Sequence, residues 1–255
     1  LYCQSDDTPL LDKAMENGFS CGEVTRVAPN DPSSWFLSYG KLDGLPERPT
    51  SLVLHSWDDA GWRYFSKAYE GQTGMTVAGV SQKVMDRYAN WIRENGHVNG
   101  GVLPPPVTEF CMAKGQNDPQ GRIVVGWMGR PLEDKGLMTL PYLLAENPRI
   151  IVRAWTGAET AGLDYTQRVQ GEAMEAVMKL ARKLGVEDRL DIRPLDFNAL
   201  SYRHRLEGCH VLLGNSRKEG FLLTAAEALS CGIPVVVTKT CGIADFIKGG
   251  YNGYL

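Results

Sequence analysis

From about residue 122 to residue 250 the chain alternates short apolar, β-branched runs with segments of helical period, and this rhythm restricts the fold more than any other feature. The segments RIVVGWMG (122–129), RIIVRAWTG (149–157), RLDIRPL (189–195), CHVLLGNS (209–216) and PVVVTK (234–239) read as strands. Between them, KGLMTLPYLLAE (135–146) reads as a helix kinked at Pro141. A helix near 166–184 places Val177, Ala181 and Leu184 on one face and stops at Gly185. NALSYRHRLEG (198–208) opens on an asparagine suited to an N-cap, a further helix begins at about Phe221, and IADFIKGG (243–250) completes the series. Strands that are apolar throughout, rather than on alternate positions, belong in a sheet covered on both faces. The pattern therefore predicts an α/β domain with a parallel sheet.

The first half is less regular. SLVLHS (51–56) and TVAGVS (76–81) read as strands, and 60–70 and 82–95 as helices, the second with Val84, Tyr88, Trp91 and Ile92 on one stripe. The polar segment AKGQNDPQG (113–121) marks a boundary, giving an N-terminal domain with linker over 1–118 and a C-terminal domain over 119–255. Charge divides in the same place: 10 basic and 15 acidic side chains up to Asp118 leave −5, and 17 basic and 15 acidic from Pro119 leave +2. The second domain is thus the expected host for a phosphate ligand. A net charge of −3 gives no sign of a nucleic-acid binder, and no apolar run approaches the ~20 residues a bilayer requires. The opening LYCQSDDTPLL does not read as a signal peptide, so a cytoplasmic location is the expectation. Six cysteines, without a C-x-x-C pair or accompanying histidines, suggest core thiols and no metal site.

In open parallel sheets ligands bind beyond the carboxyl ends of the strands, so the residues after each strand carry the chemistry. After 122–127 come Gly129, Arg130 and Lys135. Glycine permits close backbone approach, and two cations flanking a helix start suit a diphosphate. The alternative is a surface turn with solvated charges. After 209–214 come Glu219, Gly220, Phe221, Leu222, Leu223 and, about two turns into a helix, Glu227. Two carboxylates in an otherwise apolar stretch need polar partners, because burying an ionised carboxylate alone costs several kcal/mol. Hydroxyls of a sugar or ribose would serve. The alternative has Glu219 solvated and Glu227 paired with a core arginine or lysine.

The run EGFLLTAAEALSCGIPVVVT (219–238) resembles the E-x7-E signature of the family-four retaining glycosyltransferases of GT-B fold. VVGWMGRPLEDKG is similar to that family's strand with its G-R and K-G segment. VSQKVMDRYANW is similar to its linker helix, VLPPPVTEF (102–110) to its I-P-N-G-V-D segment, and CGIADFIKGGYNGYL to the tail of its donor domain. The likeness runs from about 50 to 255, is most specific after 122, and keeps the family's order. It implies an α/β protein of GT-B type, with two Rossmann-like domains facing a cleft and the first domain incomplete. It also implies transfer of a sugar from a nucleotide-diphosphate sugar, without a metal or other cofactor. Arg130 and Lys135, with Gly129, would hold the diphosphate, and Glu219 would act at the transferred sugar. Glu227 would bind the ribose, and Gly220, Phe221, Leu222 and Leu223 would bring backbone amides to the donor. His55 matches a histidine at the family's reaction centre. The alternative for His55 is a satisfied residue at a strand end. SWDDAGWRY (56–64) offers aromatics and acids suited to a sugar, or else a capped, solvated helix start.

The resemblance also has departures. Leu222 stands where the family often has glycine, Pro105 and Pro106 replace Asn-Gly, and Asp245 replaces a glutamate. A glycine-rich loop of the family's first domain is not found near Leu1, and the family continues past the NGYL that closes this chain. Sugar identity and acceptor (a sugar, lipid-linked sugar, natural product, protein or DNA) stay open. So do a catalytically inactive or fragmentary nucleotide-sugar-binding domain, and a GT-B epimerase or phosphorylase.

Overall fold

The computed structural model describes residues 35–38, 51–55, 67, 69–105, 107, 120–156, 164–194 and 206–255. The chain divides into two compact units, Leu1–Pro105 and Pro106–Leu255. The boundary expected at Asp118 and Pro119, the helix expected at 60–70 apart from its last few residues, SWDDAGWRY, and most of 198–208 lie outside the described residues.

Among the described residues of the first unit four parallel strands pair in the order β1 (Trp35–Ser38), β2 (Ser51–Leu54), β3 (Thr76–Gly79), β4 (Val98–Val102). Helix α1 (Gln82–Glu94) buries Val84, Met85, Tyr88, Trp91 and Ile92, the helical stripe its sequence predicts. The side chain of Ser81 caps it, accepting a hydrogen bond from Val84 N at 3.3 Å. Strands β1 and β4 are additions to the sequence reading. β4 is Val-Asn-Gly-Gly-Val, a composition depleted in strand formers. It pairs because Gly100 carries no side chain: a Cβ there would meet Thr76 Cγ2 at 3.0 Å and the Val77 carbonyl oxygen at 3.2 Å.

Among the described residues the second unit holds six parallel strands: β5 (Ile123–Met128), β6 (Ile150–Thr156), β7 (Leu190–Pro194), β8 (Val211–Gly214), β9 (Val235–Val237) and β10 (Gly253–Tyr254). They lie in the order β7-β6-β5-β8-β9-β10. Counted within the unit this is the 3-2-1-4-5-6 order of dinucleotide-binding folds, whose direction of winding reverses between β5 and β8. Helices α2 (Leu140–Glu146), α3 (Asp164–Lys183) and α4 (Leu223–Ser230) join the strands. Val125 and Trp127 of β5 and Val152 and Ala154 of β6 form a core with Leu140 and Leu144 of α2 and Val177 and Ala181 of α3. Arg189 closes the end of α2, donating to the carbonyls of Leu144 at 2.8 Å, Asn147 at 2.9 Å and Ile150 at 3.2 Å.

Two helix expectations change. Residues 133–139 form two 3-10 turns separated by Gly136 at φ +79, and α2 begins only at Leu140. Pro141 therefore sits in the first turn, where its missing N–H leaves no bond unmade, and it starts the helix rather than kinking it. Helix α4 begins at Leu223, not at Phe221, because Leu222 at its N-terminal edge has φ +83. Among the described residues no helix is long and apolar enough to cross a membrane.

Candidate functional site

The reversal of winding brings the carboxyl ends of β5 and β8 side by side, and the two segments singled out by sequence leave from these ends. Gly129 follows β5. Its amide donates to the Trp155 carbonyl at 3.1 Å, and a Cβ on it would lie 3.2 Å from the Trp127 ring. Arg130 comes next and is exposed; among the described residues its guanidinium makes no ion pair. The helix N-terminus expected between Arg130 and Lys135 is absent, since the 3-10 turn Glu133–Lys135 and the left-handed Gly136 take its place. Lys135 ends that turn. Its side chain is only 12% exposed, which makes its partner decisive.

That partner is Glu219. Lys135 Nζ donates to Glu219 Oε1 at 2.6 Å across 84 residues of chain, with Asp134 Oδ2 at 3.5 Å from the same ammonium. Ser216 Oγ lies 3.5 Å from Glu219 Oε1. The backbone under Glu219 is fixed by the turn after β9: Gly242 N donates to the Glu219 carbonyl at 3.0 Å and Ile243 N to that of Phe221 at 2.7 Å. The carbonyl of Ser216 accepts from Thr238 Oγ1 at 2.5 Å. The two residues assigned separately to diphosphate and sugar thus share one contact. Glu219 is not simply solvated: it is paired with Lys135 beside the strand ends.

After Gly220 the chain turns into α4. Phe221 is buried and packs edge-on against Phe246, with centroids 5.9 Å apart. Leu222 is the only non-glycine with positive φ among the described residues. It is 9% exposed, and its Cδ2 occupies the space a Cβ on Gly214 would need. An L-residue held left-handed is strained, and such strain concentrates at ligand sites. Leu223 is exposed at the first position of α4, where the amides have no partner within the helix. Glu227, four residues further on, is half-buried with its Oε2 withdrawn from solvent. His55 belongs to the first unit, directly after β2 at the carboxyl edge of that sheet. Burial holds its pKa down at about 4, so the ring is neutral near pH 7.

Two side chains of the site escaped the sequence reading, Asn215 and Ser216. Both directly follow a strand end, and that position alone is the signal that marks them. Cys209, Cys231 and Cys241 are buried thiols outside any disulfide, and burial pushes Cys209 up to about 11. Among the described residues no three His, Cys, Asp or Glu side chains gather as a metal-binding group.

Two all-parallel α/β units, the second wound 3-2-1-4-5-6 with a cation and a carboxylate at its reversal, define an α/β protein of GT-B type. The model described as Family 4 Glycosyltransferase in conflict systems matches residues 76–253, and the chain belongs to that family. Among curated proteins it is 33% identical over 126 residues to D-inositol 3-phosphate glycosyltransferase of Streptomyces bingchenggensis, covering 47% of this chain and 25% of that one. It is 28% identical over 152 residues to sucrose synthase of Melioribacter roseus, covering 51% of this chain and 19% of that one. The match therefore spans a quarter or less of these two relatives. Among solved structures, Anabaena HepE, determined with UDP and glucose, aligns with a TM-score of 0.63 at 18% identity over 80% of this chain and 57% of that one. Sucrose-phosphate synthase of Thermosynechococcus elongatus aligns with a TM-score of 0.63 at 18% identity, over 80% of this chain and 54% of that one.

Proposed function

We propose that this chain carries the donor site of a retaining glycosyltransferase that uses a nucleotide-diphosphate sugar. The observation that carries the reading is the Lys135–Glu219 contact at the junction of β5 and β8, where a fold of this winding takes its ligand. HepE, of the same fold, was determined with UDP and glucose. In the proposed reaction the bond from the anomeric carbon to the diphosphate oxygen breaks and an acceptor hydroxyl oxygen bonds that carbon on the same face. The hydroxyl proton leaves to the diphosphate or to solvent. Negative charge grows on the diphosphate as the bond breaks. Arg130 and Lys135 therefore stabilise the transition state more than the ground state, and the reaction needs no metal.

The diphosphate competes with Glu219 for the Lys135 ammonium. When it takes the lysine, the carboxylate is left facing the transferred sugar, whose hydroxyls become its partners. Glu227 binds the ribose. Any part His55 takes in transfer is that of a neutral hydrogen-bonding group, since burial lowers its pKa.

The test is a thermal-shift screen with UDP-, GDP-, ADP- and dTDP-sugars, followed by a donor-hydrolysis assay with the anomeric proton read by NMR. One nucleotide should stabilise the protein, and the released sugar should keep the donor's anomeric configuration. Failure of every nucleotide sugar and every nucleoside diphosphate to bind would remove the reading.

A further inference from the structure

The described residues offer one polar cluster that belongs to neither proposed ligand contact yet joins the two segments that do. Asn215, the first residue after β8, uses its whole side-chain amide. Its Oδ1 accepts from Trp127 Nε1 of β5 at 2.8 Å, and its Nδ2 donates to the Gly136 carbonyl at 2.9 Å and to Thr139 Oγ1 at 2.6 Å. Thr139 Oγ1 in turn donates to the Gly136 carbonyl at 2.8 Å. Gly136 is pressed so closely onto Asn215 that a Cβ would fall 2.6 Å from Nδ2 and 2.7 Å from the Asn215 carbonyl oxygen. Gly136 is the residue after Lys135, and Asn215 lies four before Glu219. The indole N–H is fixed in turn, because Trp127 is packed in the core and 1% exposed.

We infer that Asn215 is a positioning residue that sets Lys135 and Glu219 at one point, by clamping the turn after β5 to the turn after β8. Only a primary amide fits the role. It must accept from the indole N–H and, at its other end, donate twice, to a carbonyl and to a hydroxyl. Aspartate keeps the shape but turns an acceptor toward the Gly136 carbonyl, and alanine leaves that carbonyl and the buried indole N–H without this partner.

This inference rests on the donor-site reading above, and the experiment separates the two. Affinity for the tightest-binding of UDP, GDP, ADP and dTDP is measured by calorimetry for the wild type, Asn215→Ala, Lys135→Met and the double variant, with melting temperatures alongside. A positioning residue that acts through Lys135 should lose roughly 5- to 20-fold in affinity when changed to alanine, the worth of one or two hydrogen bonds. In the Lys135→Met background the same change should matter less than twofold. Asn215→Asp should bind no better than Asn215→Ala. Thr139→Val, at an exposed site, removes one of the three Asn215 bonds, and with it the Thr139 bond to the Gly136 carbonyl, without disturbing the core, and its smaller loss should likewise vanish in the Lys135→Met background. It carries the test if Asn215→Ala does not fold. Equal losses in both backgrounds, or no loss, would overturn the positioning role while leaving nucleotide binding in place. A wild type that binds none of the four nucleotides would overturn the donor-site reading and this inference with it.

Discussion

Leu222 allows an experiment whose sign, not only its size, follows from the backbone. At an ordinary position glycine is less stable than alanine by about 0.5–1 kcal/mol, because the unfolded glycine has more freedom to lose. At φ +83 an L-residue bears about 1–2 kcal/mol of steric strain that glycine does not. Leu222→Ala keeps that strain and Leu222→Gly releases it, so the glycine variant should be the more stable of the two by about 0.5–1 kcal/mol. Both should lie below the wild type. The leucine side chain is 9% exposed and rests on Gly214, and removing such a group costs about 2–5 kcal/mol. Against that loss, Leu222→Gly regains the strain and falls short of wild type by about 1–4 kcal/mol. The assay is equilibrium urea unfolding of the three proteins under one condition, with Gly214→Ala added as a control. A Cβ at Gly214 would run into Leu222 Cδ2 and come within 3.1 Å of Val237 Cγ1, so that variant should destabilise the wild type and cost less beside Leu222→Gly, where only the Val237 contact remains. An alanine variant equal to or more stable than the glycine variant would show that the backbone at Leu222 is not left-handed, and would remove strain from the description of this site.

Much of the second unit was legible because its strands are short, apolar throughout and separated by turns. Ile123–Met128, Ile150–Thr156 and Val211–Gly214 fall inside the runs that predict them. The stripe of α1 was equally plain. β4 was not: the Asn-Gly-Gly centre of Val-Asn-Gly-Gly-Val is poor in strand propensity, and its close fit over Thr76 and Val77 accompanies its pairing. Residues 135–139 read as the start of the helix expected over 135–146. Gly136 breaks it, because its packing against Asn215 requires a left-handed residue with no side chain. The site was legible as two separate segments. That Lys135 would meet Glu219 depends on β5 lying beside β8, a property of strand order that no local pattern encodes. Resemblance marked the Leu222 position as one where glycine is usual, and the positive φ there supplies the physical reason.

The remaining predictions bear on charge and chemistry. His55 is held down at about 4 by burial, against an ordinary 6.5, so between these values the unfolded chain binds more protons than the native one. Its contribution to stability should be complete above pH 6.5 and decline as pH falls toward 4, a slope that His55→Gln should flatten in pH-dependent unfolding. Turnover, once a donor is found, should survive excess EDTA, and loss on chelation restored by manganese or magnesium would refute metal independence. Arg189→Ala removes three hydrogen bonds, to the carbonyls of Leu144 in the last turn of α2 and of Asn147 and Ile150 beyond it, and should cost about 2–3 kcal/mol in unfolding. Arg130→Ala should weaken binding of nucleoside diphosphate by about 1.5–3 kcal/mol and leave free nucleoside untouched. The last prediction concerns Glu219. Were it to touch only the sugar, Glu219→Gln would leave free nucleotide affinity unchanged. The 2.6 Å contact makes a different demand, because the diphosphate must displace a carboxylate that already holds Lys135. At 12% and 23% exposure the two side chains are well shielded, so the pair is worth more than a surface ion pair of 0–1 kcal/mol. Glu219→Gln removes the competing charge and should tighten nucleoside diphosphate binding roughly three- to tenfold. On the proposed donor-site reading the same change should slow sugar transfer on the order of 10- to 100-fold, since the carboxylate proposed to receive the sugar hydroxyls is gone. Tighter nucleotide with slower turnover is the combination that exchange requires. Weaker nucleotide binding by Glu219→Gln would show that Glu219 orients Lys135 for the diphosphate instead of competing with it.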